Sequence, residues 1–286
     1  MTACDCHVHV FGPRERYPQL PTRSYTGGLA PLNDLRAHGA PFGITRFVIV
    51  QASVHGTDNS CLLDTLDALD GHGRGVVVVD PAAIAPSALD DWSRRGARGL
   101  RINLYSDYKR GAPDRRTLQD RFQALVDLAP PGWHIEVIAP LRLLAEAAPL
   151  LASARVPIVI DHYGLPGGEP PGGDNGHALL DLLKCPHVWM KLSGPYRAIE
   201  GPGSDPHATT PPLAWMQALL DTAPDRLVWG SDWPHTPPHE ESRCGDAPDP
   251  FRPIAYGQLF GDFRLAAGSN AHRILTENPA RLYGFG

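Results

Sequence analysis

Two histidines stand two residues apart near the N-terminus, in Asp5-Cys6-His7-Val8-His9. Side chains two apart on a strand face the same side, so both imidazoles would point into one space. A third histidine, His162, follows the apolar run Ile158-Val-Ile-Asp161, and Asp232 follows Leu227-Val-Trp-Gly-Ser231. Three imidazoles and a carboxylate support two chemistries. They can hold zinc or a similar divalent ion with one position open for water. Without a metal, the imidazoles can polarise a carbonyl while Asp232 takes a proton from water. A His-x-His pair alone is weak evidence. Joined by His162 and Asp232, each at the end of an apolar run, it reads as a site.

Something must carry these groups to one place, and the rest of the chain has a rhythm that can. Strand-like runs are expected at Cys4–Phe11, Arg46–Ala52, Gly75–Asp80, Gly99–Leu104, Trp133–Ile138, Pro157–Asp161, Val188–Ser193 and Leu227–Asp232. Several are continuously apolar (Phe47-Val-Ile-Val, Val76-Val-Val-Val), which suits strands buried on both faces of a parallel sheet. Helical patterns lie between them. In Asn59–Asp70, Leu62, Leu66 and Leu69 form one stripe, Asn59 or Ser60 is placed to cap the start, and Gly71 follows the end. Pro86–Arg95, Asp114–Leu128, Leu141–Ala154, His177–Leu183, Leu213–Ala223 and Asn270–Tyr283 behave alike, and Leu32–His38 is the first crossover. This alternation over ~250 residues predicts an α/β fold, a single-domain (β/α)8 TIM barrel spanning residues 1–286. An open doubly wound sheet competes, but no Gly-x-Gly-x-x-Gly or Walker-type loop is present.

Composition sets the outer bounds. With 26 basic and 31 acidic residues, a charge of -5 and no like-charge run, neither nucleic acid nor a membrane surface is an expected partner. No apolar run reaches the ~18 residues of a membrane span. The N-terminus lacks a basic segment followed by an apolar one, so no signal peptide and a cytoplasmic location are expected. Five cysteines without Cys-x-x-Cys spacing predict neither a disulfide framework nor a zinc knuckle. Gly and Pro number 29 and 30, predicting many loops. The long stretches Gly164–Gly176, Gly194–Pro212 and Pro234–Pro253 each follow a strand, where a barrel carries its function.

The strand ends are polar. They offer Asp5, His7 and His9; Gln51 and Ser53; Arg101 and Asn103; His134 and Glu136; Asp161 and His162; Lys191 and Ser193; Ser231 and Asp232, with His235 just after. Only three lysines occur, Lys109, Lys184 and Lys191, and strand four ends in Arg101, so a metal pair bridged by a modified strand-four lysine is excluded. Arg101 suits a substrate anion or an ion pair with Asp5 or Glu136. Asp161 is expected to orient a neighbour, His134 to serve the core, and Cys4 and Cys6 to pack behind strand one. The remaining histidines, including His239, read as surface or loop residues.

The segments Asp5–Gly12, Val50–Asn59, Arg98–Asn103, Val159–Gly164, Lys191–Arg197, Leu227–His235 and Asn278–Tyr283 together resemble the amidohydrolase superfamily. Within it they are most similar to the branch that holds 2-pyrone-4,6-dicarboxylate lactonase. The resemblance spans nearly the whole chain and implies a barrel hydrolase that opens a small carboxylated lactone with no metal required. It implies that Asp232 activates water, that His7, His9 and His162 polarise the lactone carbonyl, and that Arg197 holds the substrate acid. It also implies an Arg after Arg-x-Asn and a Tyr late in strand five; Asp107 and Ile138 stand there instead, with Lys109 and Arg110 as the nearby cations. Arg101, His235, Tyr25, Ser53 and His55 complete the candidate substrate contacts.

Three readings follow. The first is an Asp232-based lactonase of aromatic-compound breakdown. The second is a metal-dependent relative, a sugar-acid lactonase or nonoxidative decarboxylase, with a zinc-like ion on His7, His9, His162 and Asp232. The third is a barrel that binds small acids without turnover. Whether subunits associate stays open.

Overall fold

A computed structural model describes residues 2–105, 115–201, 203–238 and 245–286. Asp107, Lys109, Arg110, His239 and Cys244 lie outside the described residues. Eight strands run in parallel, each beside the next in chain order. They are β1 (Ala3–Val8), β2 (Ile44–Val50), β3 (Gly73–Val77), β4 (Ala97–Asn103), β5 (His134–Ile138), β6 (Ile158–Ile160), β7 (Val188–Ser193) and β8 (Leu227–Gly230). Helices fill the connections, so the fold is the (β/α)8 barrel that the alternation predicts.

Strand alternation explains why the runs are apolar throughout. Phe47 and Ile49 face the helices with Val77, Leu100 and Ile158, while Val48 and Val50 face the interior with Val76, Val159 and Val228. Tyr283 and Phe285 close that interior cluster at the N-terminal end. Cys4 and Cys6 belong to it, so they pack inside the barrel and not behind strand one. The cause is an irregularity in β1. Asp5 pairs with Phe47 but Val8 with Ile49, so three steps on β1 match two on β2. Such a bulge re-aims the strand. Cys6 and His7 therefore both point inward, and Asp5 turns out to Tyr256, whose hydroxyl donates to it at 2.8 Å.

Most helices lie where expected, including Pro86–Arg95, Leu141–Ala152 and Asp174–Leu183. Ser60–Leu69 buries Leu62, Leu66 and Leu69 as predicted. Its start differs: Asn59 makes no cap but ties Thr57 and Val78, and Asp58 accepts the Ser60 N–H at 3.0 Å. Tyr256–Ala267 is a further helix, in a segment for which the sequence pattern predicts no element. Gly257 and Gly261 weaken its helical signal, but Leu259, Phe260 and Phe263 give it a buried stripe.

Candidate active site

The barrel closes at the strands that bear the chemistry. Asp232 N–H donates to the His7 carbonyl and His9 N–H to the Trp233 carbonyl, both at 2.8 Å. Lower on the same seam the Asp5 carboxylate accepts the Ser231 N–H at 2.9 Å. A Cβ at Gly230 would lie 2.5 Å from His7 Cβ and 2.8 Å from its backbone N, so only glycine lets β8 come this close. The loops after β6 and β8 are strained. His162, Tyr163, Leu165, Asp232 and His235 all have positive φ, from 47° to 67°. Non-glycine residues in that region cost energy and gather at functional sites. Gly194, at φ 52°, passes beside them: a Cβ there would meet His162 Nδ1 at 3.1 Å and Asp232 Oδ2 at 3.3 Å.

The four predicted groups meet. Asp232 Oδ1 lies 3.4 Å from His9 Nε2 and 3.6 Å from His7 Nε2, and the His7 and His162 rings are 4.6 Å apart. All are buried. The two oxygens of Asp232 differ. Oδ2 accepts from Arg197 Nε at 2.5 Å and from the Tyr196 hydroxyl at 2.6 Å, whereas Oδ1 has no hydrogen-bond partner among the described residues. Burial alone would raise the Asp232 carboxyl; the Arg197 guanidinium, with the surrounding histidines, reverses this and holds it well below the usual carboxylate range. Arg197 is fixed in turn by Thr236 Oγ1 at 2.6 Å.

The histidines are held by different hydrogen bonds. His9 Nδ1 lies 2.8 Å from the Val50 carbonyl, an acceptor, so Nδ1 carries a proton and Nε2 of the neutral ring is a lone pair. His162 Nδ1 lies 2.9 Å from the Ser193 hydroxyl and 3.2 Å from the Ser193 carbonyl. His7 Nδ1 lies 3.1 Å from Lys191 Nζ. Burial lowers His7 to about 3, with Lys191 adding to it, and lowers His162 to about 4.

Beneath the four groups lies an ionic layer. Fully buried Lys191 pairs with Glu136 and approaches Asp161 Oδ1 at 3.4 Å. Arg101 reaches Asp161 at 3.1 Å, Glu136 at 3.5 Å and the Gln51 carbonyl at 3.0 Å. Its ion pairs are thus with Asp161 and, at longer range, Glu136, not with Asp5.

Among the predicted substrate contacts, Tyr25, Ser53, Arg101 and Arg197 line a cavity with His9, His162 and Asp232. That cavity is about 20 Å³, room for about one water. It adjoins a cleft of about 270 Å³ through Ser53, Arg101 and Asn103, where Arg23 and Arg121 also stand. His55 and His235 are buried nearby and do not line the cavity: His55 Nδ1 bonds the Pro18 carbonyl, and His235 sits against Tyr196. Ile138 lines it where the resemblance implies a tyrosine. Sequence reasoning missed Tyr196, Thr236 and Tyr105. Tyr196 alone left a signal, as the neighbour of Arg197.

A divalent ion fits the upper groups by spacing. His7, His162 and Asp232 each offer an atom within 4.8 Å of the others, and among the described residues His7 Nε2 and Asp232 Oδ1 lack hydrogen-bond partners. Imidazole nitrogen with carboxylate oxygen suits zinc.

The buried histidines also make stability depend on pH. His7, His162 and His235 sit at about 3, 4 and 4, and burial lowers His55 and His134 as well. In the unfolded chain each titrates near ~6.5. Below that pH the unfolded state binds protons that the folded state does not, so stability falls as pH drops. Asp5, raised by burial to about 6, opposes this as a single group. Thermal denaturation at pH 7.5 and pH 5 is expected to show a loss of several kcal/mol on acidification. An unchanged Tm would contradict the burial of neutral imidazoles.

A barrel closing on three histidines and an aspartate now has relatives to set beside it. The family model described as "Amidohydrolase" matches residues 4–285. A 4-sulfomuconolactone hydrolase of Rhizobium radiobacter is 35% identical over 99% of this chain and 90% of its own. A 2-pyrone-4,6-dicarboxylate hydrolase of Comamonas testosteroni is 29% identical over 98% and 90%. Among solved structures, a "probable 2-pyrone-4,6-dicarboxylic acid hydrolase" of Acinetobacter baumannii, with citric acid bound, superposes with a TM-score of 0.79 at 26% identity, covering 100% of both chains. Family match, relatives and barrel agree from end to end, and the chain belongs to the amidohydrolase family.

Proposed function

We propose that the protein hydrolyses a small lactone bearing carboxylate or similar anionic groups, with water activated at Asp232. Support comes from the lactone hydrolases it resembles and from one observation in the site. His9 Nε2 and Asp232 Oδ1 face each other at 3.4 Å, and in the neutral ring both are acceptors. Two facing acceptors call for a shared donor, and a water seated beside the pair donates a hydrogen bond to each while a lone pair points to the substrate. His9 thus joins the base and does not polarise the carbonyl. The donor to the carbonyl oxygen is His7 Nε2; His162, expected as a second donor, has its Nδ1 against both the Ser193 hydroxyl and the Ser193 carbonyl.

As water attacks, its oxygen bonds the lactone carbonyl carbon and its proton passes to Asp232. The oxyanion gathers a hydrogen bond from His7, stronger in the transition state than in the ground state. The ring C–O bond then breaks, and the departing oxygen takes the proton back. Arg197 does two things. It holds Asp232 ionised, and it receives the substrate acid. A carboxylate arriving there shares the guanidinium charge and restores basicity to Asp232 only when substrate is in place. The ring substituents extend past Ser53 and Asn103 into the arginine-lined cleft, since the inner cavity is too small for a ring. A divalent ion bound by His7, His162 and Asp232 would supply Lewis-acid polarisation of the same carbonyl; the hydrogen-bond donor serves without it.

A pH-indicator assay over lactones of carboxylated and sulfonated muconates, pyrone dicarboxylates and sugar acids, with and without chelator, tests this reading. Acid release from an anionic lactone, surviving chelation, is expected. Loss on chelation restored by zinc would favour a metal-dependent relative, and no release from any lactone would favour a binding barrel.

A further inference from the structure

We infer that Lys191 is a positioning residue: by donating to His7 Nδ1 it commits the ring to the tautomer with its proton on Nε2, a hydrogen-bond donor and not a metal ligand. Lys191 is fully buried on β7. An ammonium has three donors and no lone pair. Three acceptors surround it: Glu136 Oε2, Asp161 Oδ1 at 3.4 Å and His7 Nδ1 at 3.1 Å. Glu136, Asp161 and His7 would by spacing hold a divalent ion, and the ammonium already stands among them. Asp161 Oδ1 also stands 3.3 Å from Nδ1 but makes no hydrogen bond among the described residues; because Nζ can only donate, Nδ1 accepts, and the neutral ring carries its proton on Nε2. That nitrogen has no partner among the described residues and faces Asp232 Oδ1 at 3.6 Å. A protonated nitrogen cannot ligate a metal. One buried cation therefore fills the lower cluster and spends the nitrogen that the upper cluster would need.

The catalytic consequence rests on the lactone-hydrolase reading; the tautomer does not. Long-range 15N–1H correlation spectra of the wild-type protein assign it directly, with Nε2–H of His7 expected and Nδ1–H overturning the proposal. K191M/E136Q removes one cation and one anion together, keeping the interior balanced. Folded protein is expected to lose about 100-fold in kcat with KM within about threefold. It should also bind zinc at least about tenfold more tightly by calorimetry. K191Q/E136Q keeps a neutral N–H beside His7 and should recover about tenfold of the lost kcat. Wild-type kcat and zinc affinity in both variants would overturn the assignment. If no lactone is turned over yet the spectra and zinc titration behave as stated, the functional reading fails and this one stands.

Discussion

Asp232→Asn is expected to lower kcat by about 10³-fold, within the range that general-base catalysis supplies. The amide keeps the shape of the carboxyl but cannot take a proton from water. Substrate binding should hold or tighten. Arg197 stays anchored to Thr236, and without the carboxylate at 2.5 Å its charge is wholly available to the substrate acid. The signature is therefore a kcat effect with unchanged or lower KM, measured by steady-state kinetics beside a direct binding titration. Removing one partner of a buried ion pair also destabilises, by about 3–5 kcal/mol, so Tm is recorded on the same sample. Near-full turnover in folded D232N would remove Asp232 from the chemistry.

His7→Phe is expected to cost about 10²–10³ in kcat, the usual effect of losing one oxyanion donor. The ring volume is kept, so packing against His162 and Gly230 survives while the N–H is lost. KM should change little, because the donor acts mainly on charge that develops during attack. His7→Gln, which returns an amide N–H near that position, should recover part of the loss. Equal kcat in H7F and wild type would mean that the carbonyl oxygen points elsewhere.

Much of this was legible before any coordinates. Strand order, barrel closure and most helices follow from period: apolar runs of five or so residues alternate with stripes such as Leu62, Leu66 and Leu69. The convergence of His7, His9, His162 and Asp232 followed from their shared place at strand ends. What was not legible depends on local backbone. The bulge between Asp5 and Val8 leaves no mark in residue type, yet it puts Cys6 and His7 on one side and sends Asp5 out to Tyr256. Which ring nitrogen His9 and His7 offer is set by Val50 and Lys191, partners that lie far away in sequence. The first of these turns His9 from donor into acceptor. Lys191 was visible as a lone charge inside Val188-Trp-Met-Lys-Leu-Ser193, with the same parity as Ser193. Its meaning appeared only with Glu136 and Asp161 around it. His55 and His235 had the right neighbours in sequence, but their rings turn to Pro18 and Tyr196.

A single turnover in H2(18)O, with enzyme in excess over an anionic lactone, asks directly where the new oxygen comes from. If solvent held by Asp232 and His9 attacks the ring, the first product carries one heavy oxygen in its new carboxylate and Asp232 carries none. Heavy oxygen in the Asp232 peptide with an unlabelled product would mean that the carboxylate itself attacks, contradicting the account.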